Sequence, residues 1–286
     1  MSRGGLKISL NSACPAVIID DLDILCHALA EMLQSGLGDM VAKYISICEW
    51  RIAHELAGEE YCPEIAQMVR EAVAKCVDQA EALARREPEA VAAVMEGLVL
   101  TGIAMSYARM SRPASGMEHY FSHIWDMRGL EFGTPVSTHG IQCGIGTLLS
   151  IKVYEKIRKI NPDQAKALSY VADFDPENWN GQLTAFLGKG AHVMIEGEKK
   201  ERKYDPDKHA LRLTTILERW SVIQTIIAEE IPPYEDVEHA LTLIGAPTIP
   251  EQLSITREEV HTTFLMTKDI RDKYIATRLL WDLGEL

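Results

Sequence analysis

Asp39, His119, His123 and His139 are the residues of this sequence whose types and spacing could hold a metal ion. His119 and His123 lie four apart in SGMEHYFSHIWD, so a helix would place both imidazoles on one face. Such a pair alone is weak, because it arises by chance on many helices. His139, in PVSTHGIQCGIG, follows Ser137 and Thr138, either of which could cap a helix beginning at the histidine. A helix N-terminus disfavours imidazolium and keeps such a histidine neutral and able to bind metal. Asp39, in SGLGDMVAKY, follows Gly36 and Gly38 and is read as opening a helix, where an aspartate ordinarily serves as a cap. Taken together, one carboxylate and two imidazoles, with glycines that permit close approach, suit a catalytic zinc or similar divalent ion with an open position.

The elements that must position these groups are helices. From Asp23 onward apolar residues recur at three and four spacing, which predicts helices over 23–34, 39–57, 63–86, 88–110, 117–128, 138–160, 163–171, 207–230, 234–244 and 256–284, the last one broken. Gly58, Pro63, Pro88, the SRPASG loop at 111–116 and the Pro232–Pro233 pair mark the boundaries. The first twenty residues differ: LKISL and AVIID are short β-type runs, too few to make a stable sheet alone. The fold class is mainly α, with a β remnant or linker at 1–21 and one helical metal- and substrate-binding domain at 22–286.

Composition narrows the function. The chain has 286 residues, and 29 lysines and arginines against 42 aspartates and glutamates give a net charge of −13, which repels nucleic acid and anionic lipid. The six cysteines form no CxxC pair and read as reduced thiols inside helices rather than a disulfide frame, which suits a cytoplasmic protein. No apolar run approaches the ~18 residues that a membrane span requires, and MSRGGLKISLNS has no signal-like apolar stretch. Among secondary candidates, Gly188, Lys189, Gly190 and His192 in FLGKGAHVMIEGEKKERK could form an anion site, although a solvated loop with a charged tail is the stronger reading. Trp220, Ile223, Ile226 and Ile227 form a core stripe. Cys143 could approach a metal but is better read as a small buried residue, and Arg271 and Asp272 in the closing helix as members of a structural salt-bridge group.

GLGD at 36–39, SGMEHYFSHIWD at 115–126, STHGIQCGIG at 137–146 and KDIRDKYIATRLLWDLG at 268–284 resemble, in order, motifs of the sn-glycerol-1-phosphate dehydrogenases. These belong to a superfamily with iron-containing alcohol dehydrogenases, glycerol dehydrogenases and 3-dehydroquinate synthases. The resemblance implies the helical C-terminal metal-binding domain of the dehydroquinate synthase-like fold, with metal ligands at Asp39, His119 and His139. It further implies catalytic roles for His123, as a proton relay near substrate, and for Lys43, and a substrate site at Ser115, Lys43 and His123. A lysine at 43, where the alcohol dehydrogenase branch has another histidine ligand, points to an anionic substrate.

The implied reaction is the NAD(P)H-linked reduction of dihydroxyacetone phosphate to sn-glycerol 1-phosphate, a step in phospholipid biosynthesis. The metal would be zinc, with nickel or iron as alternatives, and the partner a small phosphorylated three-carbon substrate. A homo-oligomer is compatible with this reading. The family also implies an N-terminal nicotinamide-binding domain with a glycine-rich turn. No GxGxxG follows a strand here, so no cofactor-binding residue is assigned and the chain is read as the helical half of such an enzyme. The alternatives are a polyol or alcohol dehydrogenase of the same superfamily, or a non-catalytic metal-binding or oligomerisation module.

Overall fold

Apolar periodicity becomes fifteen α-helices in the computed structural model, which describes residues 14–286 and, before them, the backbone of residues 2, 3, 6 and 7. In chain order these are α1 (Leu22–Cys26), α2 (Ala30–Val41), α3 (Lys43–Ala57), α4 (Pro63–Asp78), α5 (Ala80–Ala84), α6 (Pro88–Ala108), α7 (Met117–Phe132) and α8 (His139–Ile157). They continue as α9 (Gln164–Ala172), α10 (Pro176–Leu187), α11 (Gly190–Glu201), α12 (Pro206–Glu230), α13 (Tyr234–Leu243), α14 (Arg257–Met266) and α15 (Ala276–Asp282). Prolines at the first turn open α4, α6, α10 and α12, where a missing N–H costs nothing, and Gly58 and Gly133 end α3 and α7 in the left-handed conformation.

The mainly α fold class holds, but several boundaries differ from the sequence reading. α2 runs unbroken through Gly36 and Gly38, so Asp39 lies in its last turn and is not an N-cap. The segment 188–203 is mostly helix α11, not a solvated loop, and α10 precedes it where no helix was expected. The closing run is broken, as its sequence suggested: over 267–275 it passes through a short 3₁₀ turn and an irregular stretch before α15.

The β expectation survives only in two-residue strands, β1 (Ser2–Arg3) and β2 (Leu6–Lys7), paired antiparallel. The remainder of LKISL lies outside the described residues. AVIID forms no strand: a strand needs a neighbour to take its backbone hydrogen bonds, and among the described residues none lies beside it. Val17, Ile19, Leu29 and Met32 are exposed along this N-terminal stretch.

α8 is the central element. It packs against α2 on one side and α7 on the other, while α4 pairs with α6 and α3 with α12. The main core gathers Leu37, Met40, Ile45, Phe121, Ile145, Ile151, Ile223 and Ile227, and Trp220 packs against it from the edge. A second cluster around Trp179, Leu183, Met194, Tyr204 and Trp281 secures α10 and α11 to the C-terminal segment. All six cysteines are free, with Cys48, Cys76 and Cys143 buried.

Contrary to the reading of apolar runs, one helix is long and apolar enough to cross a membrane: Pro88–Ala108, with mean hydropathy 1.6. Its Ala90, Val91, Val94, Gly97 and Ala104 are buried where it packs on α2 and α4, while Ile103 and Tyr107 are exposed.

Candidate functional site

Two glycine contacts set the site. A Cβ on Gly140 would fall 1.8 Å from the Ser35 carbonyl oxygen, and one on Gly38 would fall 2.2 Å from that of Gly140. α2 and α8 therefore touch backbone to backbone, which brings Asp39 beside His139. Gly146 does the same for α7, since its Cβ would sit 2.5 Å from the Glu118 carbonyl oxygen. The glycines of STHGIQCGIG are thus tight packing positions beside the site, as their spacing suggested.

Asp39 presents its two oxygens in opposite directions. Oδ1 lies 3.3 Å from His119 Nε2 and 3.9 Å from His139 Nε2, whereas Oδ2 accepts a 2.7 Å hydrogen bond from the Lys43 ammonium. Burial alone would raise the Asp39 pKa, but Lys43 and His119 override it and hold the carboxyl well below the usual range. Lys43 is buried and also donates to the Ala114 carbonyl.

Each histidine is oriented by its other nitrogen. His119 Nδ1 donates to Glu118 Oε1 at 2.8 Å. Ser122 Oγ donates its one proton to Gln142 Oε1 and so accepts from His139 Nδ1 at 2.9 Å. With Nδ1 held in this way, a divalent ion would have only to displace a proton from Nε2 on the Asp39 side, which gives the tautomer that a metal ligand requires. Thr138 precedes α8 as expected, although its hydroxyl makes no capping bond there.

Two ligands at about 2.1 Å from a tetrahedral ion stand about 3.4 Å apart, close to the separations seen between Asp39 and the two imidazoles. Donor atoms of Asp39, His119, His139 and Cys143 all lie within 4.8 Å of one another. The donor chemistry and the spacing fit a divalent ion.

His123 stands beside this cluster, one turn along α7, its ring stacked at 6.2 Å from that of His139. It lines a cleft of about 350 Å³ together with Asp39, Lys43, Ser115, His119 and His139. The same cleft is lined by Arg271 and Lys273 from the irregular stretch before α15. Lys273 donates to the Ser115 carbonyl at 2.8 Å, and burial, with Arg112 nearby, pushes its pKa down to about 7. In the closing segment Lys268 and Arg278 pair with the buried Asp269, and Arg212 with Asp282. Lys189 and His192 are exposed and lie near Glu131 and Glu196, away from the cleft.

Sequence reasoning missed Glu118, Arg271 and Lys273. The signal for Glu118 was the Glu-His dipeptide itself, an acid next to a candidate ligand. Behind it lies Glu49, which accepts from the Met117 and Ala276 amides, its pKa pushed up to about 8 by burial and by Glu118. Glu118→Gln keeps an acceptor for His119 but removes the charge, so Zn²⁺ affinity should fall toward the lower end of the ~10–100-fold effect of such outer contacts. Competition against a chromophoric chelator measures it, and an unchanged affinity would rule out the orienting role.

Fold and site together define a mainly helical chain in which a candidate metal-binding cluster lines the same cleft as Arg271 and Lys273. The chain is homologous to the glycerol-1-phosphate dehydrogenases. It is 35% identical to the NAD(P)⁺ glycerol-1-phosphate dehydrogenase of Bacillus licheniformis over 282 residues, 99% of this chain and 57% of that protein. Proteins of the same name from Geobacillus thermodenitrificans and Archaeoglobus fulgidus are 35% and 34% identical over 153 and 154 residues, in each case 54% of this chain and 38% and 43% of the relative. The chain spans about half the length of the curated relatives it matches. No family model matches it.

Proposed function

We propose that this chain carries the metal- and substrate-binding part of an NAD(P)-linked glycerol-1-phosphate dehydrogenase, the enzyme type that interconverts dihydroxyacetone phosphate and sn-glycerol 1-phosphate. The observation that carries the reading is the convergence of Asp39, His119 and His139, from three helices, on one point in a cleft. A divalent ion held there, zinc foremost, with nickel or iron as alternatives, would supply Lewis-acid polarisation of a ketone.

The chain's own residues do the rest. Lys43 keeps Asp39 ionised and aimed, and with its ammonium committed there it is poorly placed to take a substrate phosphate as well. That part falls to Arg271, with Lys273 beside it on the cleft lining. His123, at the cleft lining one turn beyond His119, is placed to hold or pass a proton, and Ser115 lies at the same lining. Hydride would come from the nicotinamide cofactor, bound by a domain for which these residues show no glycine-rich turn. In this reading 22–286 form the metal and substrate domain and 1–21 the link to the cofactor domain, whose surface would cover Val17, Ile19, Leu29 and Met32. A cytoplasmic setting suits the free thiols and the small phosphorylated substrate.

Calorimetry on the Zn²⁺-loaded chain tests the reading. Dihydroxyacetone phosphate should bind, glycerol should not, and chelation should abolish the binding. Equal binding of glycerol would favour the polyol dehydrogenase alternative, since a neutral polyol offers Arg271 no charge to bind. The chain by itself should show no ketone-dependent oxidation of NADH, because positioning the nicotinamide contributes roughly 7–11 kcal/mol of the lowered barrier. Turnover that disappears on chelation would place the cofactor on these residues after all.

A further inference from the structure

The donor cluster has a fourth member beyond the three ligands that the family resemblance implies. Cys143 is fully buried on α8, one turn after His139, so the same helix face presents both side chains. Its Sγ lies 3.6 Å from His139 Nε2 and within 4.8 Å of the donor atoms of Asp39 and His119. We propose that Cys143 is a fourth protein ligand, so that the resting centre holds its divalent ion through Asp39, His119, His139 and the Cys143 thiolate. The inference rests on the metal reading above and goes beyond it.

Four protein donors of this kind, two imidazoles, one carboxylate and one thiolate, complete a tetrahedral shell and favour zinc or cobalt over magnesium or manganese, which prefer oxygen. The charges also balance. On binding, the thiol gives up its proton to solvent, and the resulting thiolate together with the Asp39 carboxylate neutralises a divalent cation that would otherwise leave a net positive charge beside the buried Lys43. The backbone that carries Cys143 is fixed, since α8 is pinned to α2 at Gly140 and Gly38 and to α7 at Gly146, so rotation of the side chain alone would bring Sγ to the ion or take it away. A complete protein shell leaves no open position for a ketone oxygen, so substrate would need Cys143 to withdraw or the shell to expand. The cysteine would then set the resting electrophilicity of the centre and make it sensitive to thiol oxidation.

Cobalt substitution of the full chain tests this, because thiolate bound to Co²⁺ gives a near-ultraviolet charge-transfer band that oxygen and nitrogen ligands do not. The native chain should bind one Co²⁺ with both visible d–d absorption and that band. Cys143→Ala and Cys143→Ser, checked for native helix content by circular dichroism, should keep the d–d absorption and lose the band. Co²⁺ bound without the band, or a band that survives in Cys143→Ala, overturns the role of Cys143 while leaving the metal centre intact. Failure of the native chain to bind Co²⁺ overturns both.

Discussion

Gly140→Ala is expected to destabilise the fold by more than about 3 kcal/mol, the upper end of ordinary overpacking, and to separate His139 from Asp39. The new methyl would lie 1.8 Å from the Ser35 carbonyl oxygen and 2.6 Å from both the Ser35 carbonyl carbon and its hydroxyl, and two of those atoms are backbone. No side chain can swing away to relieve the contact, so α8 must lift off α2. The lift would also break the bond from the Gly140 amide to Ser35 Oγ, one of the few partners for the N-terminal amides of α8. Leu37, Met40 and Ile145 would lose packing in the same movement. Gly181→Ala is the control: it lies inside α10 with nothing within 4 Å of the added methyl, and replacing an open helical glycine should stabilise by up to about 1 kcal/mol. Thermal denaturation separates the two. Equal effects would show that helix propensity, and not the close crossing, decides the outcome.

That crossing also explains what could and could not be read from the chain. Asp39, His119 and His139 were legible because few residue types bind a divalent ion and the motifs around them are specific. Their elements were less so. Gly36 and Gly38 read locally as a break ahead of Asp39, yet they are helical residues whose missing side chains make room for Val94 and for the backbone of α8, a fact only the partner helix reveals. α11 was mistaken for a loop because its buried face is thin, little more than Gly190, Ala191, Met194 and Glu198, with charges elsewhere. The aromatic and ionic cluster it joins was invisible for the same reason. Asp269 receives Trp179, Tyr204, Lys268 and Arg278 from segments up to about a hundred residues apart, and no local pattern announces that meeting. Lys43 illustrates a subtler gap. Its spacing from Asp39 was plain, but that its charge is spent on Asp39 follows only from its burial.

The metal ligands themselves give the second large effect, and the two kinds of ligand should fail differently. A saturating ion binds the folded chain and not the unfolded one, so at a free concentration of 100 times Kd it adds about 2.7 kcal/mol to stability. Zn²⁺ should therefore raise the melting temperature of the native chain. His139→Ala should lose that rise with little change in the metal-free melt, because its side chain is 43% exposed and sits at a helix end. Asp39→Asn should lose the rise as well, but it also strands the Lys43 ammonium, which is 1% exposed, without its carboxylate. Removing one partner of a buried pair costs about 3–5 kcal/mol, so the metal-free melt of this variant should fall sharply. Asp39 is partly exposed, which places the loss toward the lower end of that range. Melts recorded with Zn²⁺ and with chelator distinguish these cases. A Zn²⁺-induced rise of equal size in all three proteins would mean that the ion binds elsewhere, and that the convergence of Asp39, His119 and His139 serves packing and charge pairing alone.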